Sequence, residues 1–412
     1  MVRTLDPALS PGAAVAALRA PGSATLFFDG RGGQEGAWPC RLAIAPRHAR
    51  GTLDRVDAVI RRRRSIGGPG GTGVAVLAAY DSDELTVIEA DASIAFPPGA
   101  PPSASGAPDL VEQALRRMEA ARGEDAALTP PLAATPRTTL PKEAYVRGVA
   151  AVLAHIERGD IYQANLTQTF RARTPIDAWA LHRALAQTTP GPRSAFVETP
   201  ELALVSASPE IFVDVDRSGW AETRPIKGTR PRGATATEDA ALAAELLASE
   251  KDRAELVMIV DVERNDLGRI ARIGSVEVPE LFGLRSYPTV HHLVARVRAA
   301  LRDGVTPADL LRAVFPGGSI TGAPKERAIE ILRSLEPAPR GLYTGSLFWF
   351  DDDGSTVSSI LIRSAVLSGG VVSVGAGGGV VADSDPEAEW MEANAKARAL
   401  TRAIGFEPEE AR

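Results

Sequence analysis

The chain has 412 residues, with 46 Lys and Arg against 52 Asp and Glu and a net charge of −6. This mild acidity argues against a nucleic-acid-binding protein, which needs a strongly basic face. No apolar run approaches the ~20 residues that span a bilayer, and a single cysteine, Cys40, excludes an internal disulfide and a multi-cysteine metal site. We therefore expect a soluble cytoplasmic protein of one large or two medium domains.

Lysine is rare in this chain. There are 41 arginines and only five lysines, which are Lys142, Lys227, Lys251, Lys325 and Lys396. Arginine stays protonated in proteins, whereas lysine can lose its proton and act as a nucleophile. The lysines are therefore candidates for chemistry, with chance survival as the alternative, and for Lys142 we favour chance.

The amino-terminal part predicts short strands, helices and linkers. In chain order, we expect strands at 24–28, 73–79 and 85–88, a helix at 53–64, a linker at 97–108, a helix at 109–122 and a Pro/Thr-rich stretch at 129–141. Four consecutive arginines end the helix at 53–64, and we expect them to be solvated. A domain boundary in the Pro/Thr-rich stretch would separate an amino-terminal subdomain, 1–130, from a second domain, 140–408.

The second domain predicts a denser mixture of helices and strands. Helices are expected at 143–158, 238–266, 307–315, 323–335 and 386–404, and strands at 162–171, 203–213, 345–350, 356–367 and 371–379, the last ending in a Gly-rich loop. Because helices and strands do not alternate regularly, the pattern favours a layered α+β fold over a doubly wound parallel sheet.

Two of the predicted helices carry paired carboxylates. Asp252 and Glu255 lie three residues apart, as do Glu389 and Glu392, so each pair shares one helix face. Four acids without a histidine or cysteine cluster form the ligand set that Mg²⁺ prefers. The alternative for each pair is a solvated helix face, although Asp252 and Glu255 border the apolar run 256–260.

Three further features could bind an anion. The segment 316–325 opens a helix with small residues and hydroxyls, so its free N–H groups and Lys325 could meet an anion, although the P-loop spacing is absent. The Gly-rich segment 375–379 is either a tight turn or a close approach of backbone to ligand. Arg363, in a predicted strand, is either an ion-pair partner or the clamp of a substrate carboxylate.

Lys227 lies in a basic segment. Arg224, Arg230 and Arg232 flank it, and if they approach it in space, repulsion and desolvation would lower its pKa from the reference ~10.4 and free its amine. A lysine nucleophile is made in this way. The alternative is a basic surface loop, and the chemistry of the residues alone leaves both open.

Between about residues 140 and 405, a series of ordered segments resembles the chorismate-utilising enzyme family. These segments are GDIYQANLTQ at 159–168, SPEIF at 208–212, PIKGT at 225–229, MIVDVERNDLG at 258–268, HLV at 292–294, GSITGAPK at 318–325, YTG at 343–345, IRSA at 362–365 and the Gly-rich segment with the acidic helix after it. The resemblance implies a layered α/β sandwich of antiparallel-rich sheets flanked by helices, with an active site between the sheets that binds chorismate and Mg²⁺.

The resemblance also implies roles for individual residues. Glu255 and Glu392 would hold Mg²⁺, with Asp252 and Glu389 in support. Lys227, Glu210 and His292 would be catalytic, Glu210 as an acid–base group and His292 near the ring. The substrate-binding residues would be Thr229, Gly228, Tyr343, Arg363, Gly377, Gly378, Gly379 and Lys396.

Two positions separate the reactions of the family. Relatives that add water to chorismate carry a lysine base where this chain has Gln163, and glutamine cannot deprotonate water. Anthranilate-forming relatives typically have alanine where this chain has Lys227, and lysine there is characteristic of enzymes that aminate the ring at C4. The resemblance therefore implies formation of 4-amino-4-deoxychorismate through a covalent lysine adduct, for 4-aminobenzoate and folate biosynthesis.

The ammonia is expected to come from another protein. A glutaminase needs a cysteine nucleophile, and no glutaminase motif surrounds Cys40, so we expect a separate glutaminase subunit as partner. Two alternatives stay open: an anthranilate-forming enzyme, if Lys227 has no role, and an inactive homologue that serves as a scaffold for the glutaminase.

Overall fold

The computed structural model describes residues 1–20, 22–30, 37–66, 71–121, 136–287 and 290–406. The helices in this part of the chain are α1 Pro11–Leu18, α2 Leu53–Ile66, α3 Pro108–Ala120, α4 Lys142–Glu157, α5 Ala178–Thr188, α6 Ala236–Ala248, α7 Glu250–Gly268, α8 Pro307–Val314, α9 Lys325–Leu335 and α10 Pro386–Ile404. A short 3₁₀ turn covers Gly318–Ile320. None of the described helices is long and apolar enough to cross a membrane.

The strands form two large antiparallel sheets. They are β1 Val2–Thr4, β2 Thr25–Asp29, β3 Arg41–Ala43, β4 Arg47–Gly51, β5 Gly73–Ala78, β6 Leu85–Ala90, β7 Ala92–Ala95, β8 Ser103–Gly106, β9 Arg137–Thr138, β10 Gln163–Arg173, β11 Arg193–Glu198, β12 Ala203–Ser208, β13 Asp214–Val215, β14 Trp220–Thr223, β15 Ile226–Pro231, β16 Glu277–Ser286, β17 Val290–Ala300, β18 Gly322–Ala323, β19 Ser346–Asp351, β20 Thr356–Ile360, β21 Ser364–Ser368 and β22 Val371–Val380.

The first sheet has the order β1-β8-β7-β3-β2-β11-β12-β21-β22-β10-β18, with β9 beside β10. The second has the order β15-β17-β14-β13-β20-β19-β5-β6-β4, with β16 beside β17. Strands from the amino-terminal 95 residues therefore pair with strands from the rest of the chain in both sheets. The boundary between 130 and 140 stays a prediction, and it falls largely outside the described residues.

Alternating apolar residues place the two sheets face to face. In β19, Leu347 and Trp349 belong to a core cluster between the sheets, whereas Phe348 and Phe350 belong to a cluster under the helices. Successive side chains of a strand point to opposite faces, so the two sets lie on opposite sides of the sheet. Both sets are buried, because both faces of the sheet are covered. The strand thus contributes to two cores at once, as a sheet covered on both sides must.

Helices cover the outer face of each sheet. One outer core unites the second sheet with α2, α7 and α8, and another unites the first sheet with α1, α3, α5 and α10. The predicted α+β class and layered sandwich are confirmed.

One predicted helix is two helices. The expected helix at 238–266 is interrupted at Ser249, which ends α6 and begins α7. The Ser249 side chain accepts a hydrogen bond from the Asp252 N–H at 3.2 Å, which satisfies an N–H group that the first helical turn leaves free. The apolar spacing continues across the break, and for this reason the pattern alone suggested one helix.

Two further predictions around the C-terminal strands are wrong. The expected strand at 356–367 is in fact two strands, β20 and β21, which lie in different sheets. Arg363 lies in the segment where the chain passes from one sheet to the other, and its backbone angle φ is +50°. The expected Gly-rich loop at 375–379 is part of β22, where the glycines pair with β10. Glycine is rare within strands because it packs nothing, so the sequence pointed to a loop.

Two predictions in the amino-terminal part also need correction. The expected linker at 97–108 contains β8, which pairs with β1 and β7. The expected solvated arginine run contains Arg63, whose guanidinium is buried and donates to Asp352 and to the Ala90 carbonyl. One face of a helix points towards the core even where consecutive residues are charged, so one arginine of the run is buried. The composition of the run does not show which arginine this is.

Candidate active site

A cavity of about 720 Å³ lies between the two sheets. Its walls come from β10 and β22 of the first sheet, β15 and β17 of the second, helices α7 and α10, and the segments around Glu210, Ser319, Tyr343 and Arg363. Its volume falls within the range that small-molecule sites usually have.

The cavity brings together nearly all the predicted site residues. Those that line it are Lys227, Glu210, His292, Gly228, Thr229, Tyr343, Arg363, Gly377, Gly379, Lys396, Asp252, Glu255, Glu389 and Glu392. Gly378 does not line it. A Cβ at Gly378 would lie 2.8 Å from Glu389 Oε2, so this glycine makes room for the acidic helix instead.

A β-bulge aims Lys227 into the cavity. Lys227 is opposite Leu293 and Thr229 is opposite His292, so Gly228 is the extra residue on β15. Gly228 has φ +73, and a Cβ there would lie 2.8 Å from the Asp252 carboxyl carbon. Both the backbone conformation and the packing of α7 therefore require glycine beside the lysine.

The Lys227 amine has no hydrogen-bond or ion-pair partner among the residues that the structure describes. Burial lowers its pKa below the usual range, the nearby Lys396 ammonium lowers it further, and the carboxylates of Glu255 and Glu210 oppose the shift. The direction and the contribution of desolvation are as predicted, but the repulsion comes from Lys396 and not from the flanking arginines.

Each of those arginines is held by an acid. Arg224 donates to Glu222 at 2.6 Å, Arg230 to Glu245 at 2.8 Å, and Arg232 pairs with Asp239 at 2.6 Å. Neighbours in sequence do not all point the same way, because side chains alternate along a strand.

A buried amide lies close to the lysine. Neither polar atom of the Gln163 side chain has a partner in the described molecule, although the residue is fully buried. A Cβ at Gly379 would collide with the Gln163 amide and lie 3.6 Å from Lys227 Nζ. Gly379 therefore leaves the space that the amide and the amine share.

Glu210 is a buried carboxyl at the cavity wall. Its Oε1 accepts a hydrogen bond from the Ser319 hydroxyl at 2.9 Å. Burial raises the pKa of Glu210 to about 7, with the Ser319 hydrogen bond and Lys227 opposing the shift. A carboxyl with this pKa can both donate and accept a proton near neutral pH.

Arg363 and Tyr343 form a cationic corner. In the described part of the chain no group accepts a hydrogen bond from the Arg363 guanidinium, and burial lowers its pKa. Tyr343 is buried, with its pKa raised to about 12 by burial, so its hydroxyl stays protonated. An unpaired guanidinium beside a hydroxyl donor suits a carboxylate ligand.

Two neighbouring strands hold His292. The Thr229 hydroxyl on β15 lies 3.0 Å from His292 Nδ1 on β17, and burial lowers the pKa of the imidazole. His292 is therefore neutral at pH 7, and Thr229 fixes the orientation of its ring.

The opposite wall carries the four acids. Asp252 and Glu255 come from the first turns of α7, and Glu389 and Glu392 come from α10. Burial raises the pKa of Glu255 and of Glu389. Repulsion from Asp252 and Glu389 adds to the shift of Glu255, and repulsion from Glu392 on the same helix adds to that of Glu389. The two predicted pairs thus line the same cavity, with Glu389 buried and Asp252 and Glu255 half-buried, whereas 56% of the Glu392 side chain is exposed at the cavity mouth.

Three of these acids already have partial partners. Asp252 pairs with Arg230 at 3.3 Å, and Glu389 accepts a hydrogen bond from Ser384 at 2.7 Å. Glu392 pairs with Lys396 at 2.6 Å; burial opposes the fall of its pKa, but the lysine outweighs burial and lowers it.

In the described ranges, no three Asp, Glu, His or Cys side chains form a ready-made metal cluster. The donor chemistry nevertheless fits a hard divalent cation, since all four groups are carboxylates that line one cavity, and burial with repulsion from neighbouring acids raises the pKa of Glu255 and of Glu389.

Some sequence inferences about the cavity were wrong or incomplete. Lys325, considered for an anion, instead pairs with Asp266 at 2.5 Å and does not line the cavity. Asn165, Ser319 and Lys251 line the cavity but were not assigned a role. Asn165 and Ser319 lie inside segments that resemble the family, and Lys251 is one of the five lysines. Each could therefore have been identified from the sequence as a candidate site residue.

The sequence profile of chorismate binding enzymes matches residues 83–402. Over 269 residues, 65% of this chain, the sequence is 43% identical to aminodeoxychorismate synthase component 1 of Bacillus subtilis, covering 57% of that protein. Over 263 residues, 64% of this chain, it is 44% identical to anthranilate synthase component 1 of Geobacillus stearothermophilus, covering 52% of that protein. The chain thus spans little more than half the length of these relatives.

The fold is shared with solved structures. Anthranilate synthase component I from Streptococcus pneumoniae superposes with a TM-score of 0.75 at 25% sequence identity, over 93% of this chain and 91% of that one. Because the matching profile covers more than three quarters of the sequence, the chain belongs to the family of chorismate binding enzymes.

Proposed function

We propose that this chain is an aminodeoxychorismate synthase component 1, which converts chorismate and ammonia to 4-amino-4-deoxychorismate. The observation that carries the proposal is Lys227: its amine has a lowered pKa, has no partner among the described residues, and lines a cavity with Glu210 and four acids. The names of the relatives alone do not choose between this reaction and anthranilate formation, because both kinds are about equally similar.

The cavity suits the charge of the substrate. Chorismate carries two carboxylates, and the unpaired Arg363 guanidinium with the Tyr343 hydroxyl can bind the one on the enolpyruvyl group. Lys227 then faces C2 of the ring from the adjacent wall. Thr229 and the backbone of Gly377 and Gly379 orient the ring.

We propose Mg²⁺ as the cofactor, held by Glu255 and Glu392 with Asp252 and Glu389 beside them. When bound, it would supply positive charge that binds the ring carboxylate and makes the diene more electrophilic.

The chemistry of the side chains then follows in two steps. The Lys227 amine forms a bond to C2, the double bonds shift, and the C4–O bond breaks; Glu210 gives its proton to the leaving hydroxyl, which departs as water. Ammonia next forms a bond to C4, the double bonds shift back, and the bond between C2 and Lys227 breaks. Proton transfer to Glu210 restores the acid.

Two residues oppose the competing reactions. Water addition at C2 needs a base, and the neighbouring Gln163 amide cannot act as one. Anthranilate formation needs ammonia to add at C2, but in the proposed reaction the Lys227 amine forms the bond to C2 instead. An inactive homologue that only binds the glutaminase would not need the Lys227 amine.

We also propose that a separate glutaminase subunit supplies the ammonia and that the reaction takes place in the cytoplasm. The name component 1 carried by similar proteins supports a two-component enzyme.

A product assay tests the proposal. Purified protein with chorismate, Mg²⁺ and ammonium should give 4-amino-4-deoxychorismate, identified by chromatography and mass spectrometry against the authentic compound. Anthranilate or isochorismate as the main product would contradict the proposal, and an absence of turnover would favour the scaffold. Glutamine should replace ammonium only after a glutaminase subunit is added.

A further inference from the structure

Behind the cationic corner lies a buried arginine that takes no part in the proposed chemistry. Arg340 lies between α9 and β19, and only 2% of its side chain is exposed. Its guanidinium stands 4.3 Å from the centre of the Tyr80 ring. A buried cation needs a full set of acceptors, because the loss of its hydration is costly.

Arg340 has that full set. Nε and Nη2 donate to the two carboxylate oxygens of Glu336, each at 2.8 Å. Nη2 also donates to the Asn165 carbonyl at 2.6 Å, and Nη1 donates to the Ile320 carbonyl at 2.9 Å and to the Thr344 hydroxyl at 3.4 Å. The five N–H groups of the guanidinium thus meet five acceptors.

These acceptors belong to separate walls of the cavity. Asn165 is on β10 of the first sheet, Ile320 is in the 3₁₀ turn beside Ser319, and both line the cavity. Thr344 follows Tyr343 and has φ +60, a strained conformation for a threonine. One side chain therefore joins three segments that are far apart in sequence.

Glu336 extends the connection. Its Oε1 also accepts hydrogen bonds from the Thr167 backbone at 2.9 Å and from the Thr167 hydroxyl at 3.0 Å. The Glu336–Arg340 pair thereby fixes β10 at two successive inward positions, 165 and 167. Lysine could not replace the arginine, since it has three donors and no planar fork.

We infer that Arg340 is a positioning residue for substrate binding: it sets the distance between the wall of Asn165 and Ile320 and the wall of Tyr343, so that Tyr343 and Arg363 meet the substrate carboxylate together. Arg340 does not itself line the cavity. The inference rests on the proposed function for its substrate, but the geometry of the walls can be measured without one.

The chain offers a matched control at the other end of β19. Arg63 is also a buried arginine, and it donates to both oxygens of Asp352 and to the Ala90 carbonyl. Asp352 follows the last residue of β19, whereas Thr344 precedes the first. Arg63→Lys therefore removes a comparable buried clamp at the end of the strand away from the cavity.

The first test compares Arg340→Lys with Arg63→Lys well below their melting temperatures. We expect Arg340→Lys to raise KM for chorismate about 10- to 100-fold, the effect of a small displacement of binding groups, with a smaller change in kcat. Arg63→Lys should lower the melting temperature with KM unchanged. An unchanged KM in Arg340→Lys, or an equal rise in both variants, would overturn the inference.

The second test needs no substrate. Hydrogen–deuterium exchange should become faster in Arg340→Lys within the segments 163–168, 318–323 and 343–346, and should stay unchanged there in Arg63→Lys. Unchanged exchange in all three segments of Arg340→Lys would overturn the inference even if the wild-type protein proved inactive on chorismate. If Arg340→Lys does not fold, Glu336→Gln should show the same exchange pattern, and its absence would be equally decisive.

Discussion

The two charged walls of the cavity differ in how far their own neighbours neutralise them. On the acidic wall, Asp252 and Glu392 each have an ion-pair partner and Glu389 accepts a hydrogen bond from Ser384, which leaves only Glu255 without a hydrogen-bond or ion-pair partner among the described residues. Of the basic groups, neither Arg363 nor Lys227, which lie on adjacent walls, has an ion pair among the described residues. The acidic groups are therefore largely compensated by neighbouring side chains, whereas these two basic groups are not.

Arg363 and Lys227 differ in what they can do to a substrate. Arg363 retains its charge despite burial and can attract a carboxylate. Burial lowers the pKa of Lys227, which favours the uncharged, nucleophilic form of its amine. The following predictions alter one wall at a time.

The largest expected effect follows from Lys227→Ala. Without the amine, no bond to C2 can form, and formation of 4-amino-4-deoxychorismate should fall to the assay background. Lys227→Arg should be equally inactive, because arginine keeps the charge but cannot act as a nucleophile. Lys142→Arg is the control and should keep full activity, since Lys142 does not line the cavity and its contacts, an ion pair with Glu387 at 2.8 Å and the face of the Trp390 ring, can be made by arginine. Normal turnover in Lys227→Arg would contradict the assignment of Lys227 as the nucleophile.

The next effect concerns Glu210→Gln. Removing a general acid should lower kcat about 10²- to 10⁴-fold. In the wild-type enzyme, activity that needs protonated Glu210 should decline as the pH rises through about 7, and this limb of the pH–rate profile should be missing in the variant. A variant with the same limb would assign the titration to another group.

Although Glu210→Gln should lower activity, it should raise the stability of the folded protein at high pH. The pKa of Glu210 is raised from 4.5 to about 7 in the folded protein, so its contribution to stability is complete below pH 4.5 and is lost as the pH rises towards 7. At pH 8, Glu210→Gln should therefore be more stable than wild type by up to about 3 kcal/mol, measured by urea unfolding. Lower stability of the variant at pH 8 would argue against a buried ionised carboxyl.

On the acidic wall, Glu255→Gln should weaken the binding of Mg²⁺ without abolishing the fold. We expect the Mg²⁺ concentration for half-maximal activity to rise about 10- to 100-fold, as is typical of changes in metal sites. Glu330→Gln, on the exposed face of α9 where Glu330 pairs with Arg327 at 2.8 Å, is the control. Equal Mg²⁺ dependence of Glu255→Gln and wild type would remove Glu255 from the ligand set.

The smallest expected effect concerns the start of α7. Ser249→Ala removes the N-cap of the helix that carries Asp252 and Glu255, at a cost of about 1 kcal/mol. Ser249→Asp should restore the cap and most of the stability in urea unfolding. If both variants were equally destabilised, packing in the cavity rather than capping would be the role of Ser249.

The sequence predicted most of the cavity because its chemistry is local. The carboxylate pairs and the PIKGT segment each occupy consecutive or helically spaced residues, and the fold only had to bring them together. The roles of Tyr343, Glu210 and His292 were expected from the family resemblance alone. The layered fold followed from the mixture of strand and helix patterns.

The features that were missed depend on contacts across the chain. Arg230 and Arg232 pair with Glu245 and Asp239 of α6, so the sequence could not show that these arginines do not repel Lys227. The strand character of 375–379 comes from pairing with β10. The burial of Arg63 comes from Asp352, 289 residues away.

The most direct test of the account is the covalent intermediate. The protein is mixed with chorismate and Mg²⁺ without ammonia, quenched rapidly in acid, and analysed by intact-mass and peptide mass spectrometry. The account predicts a mass gain of one chorismate less one water, located on Lys227 and absent in Lys227→Arg. Product formation in the presence of ammonia with Lys227 never modified, or with the added mass on another residue, would contradict it.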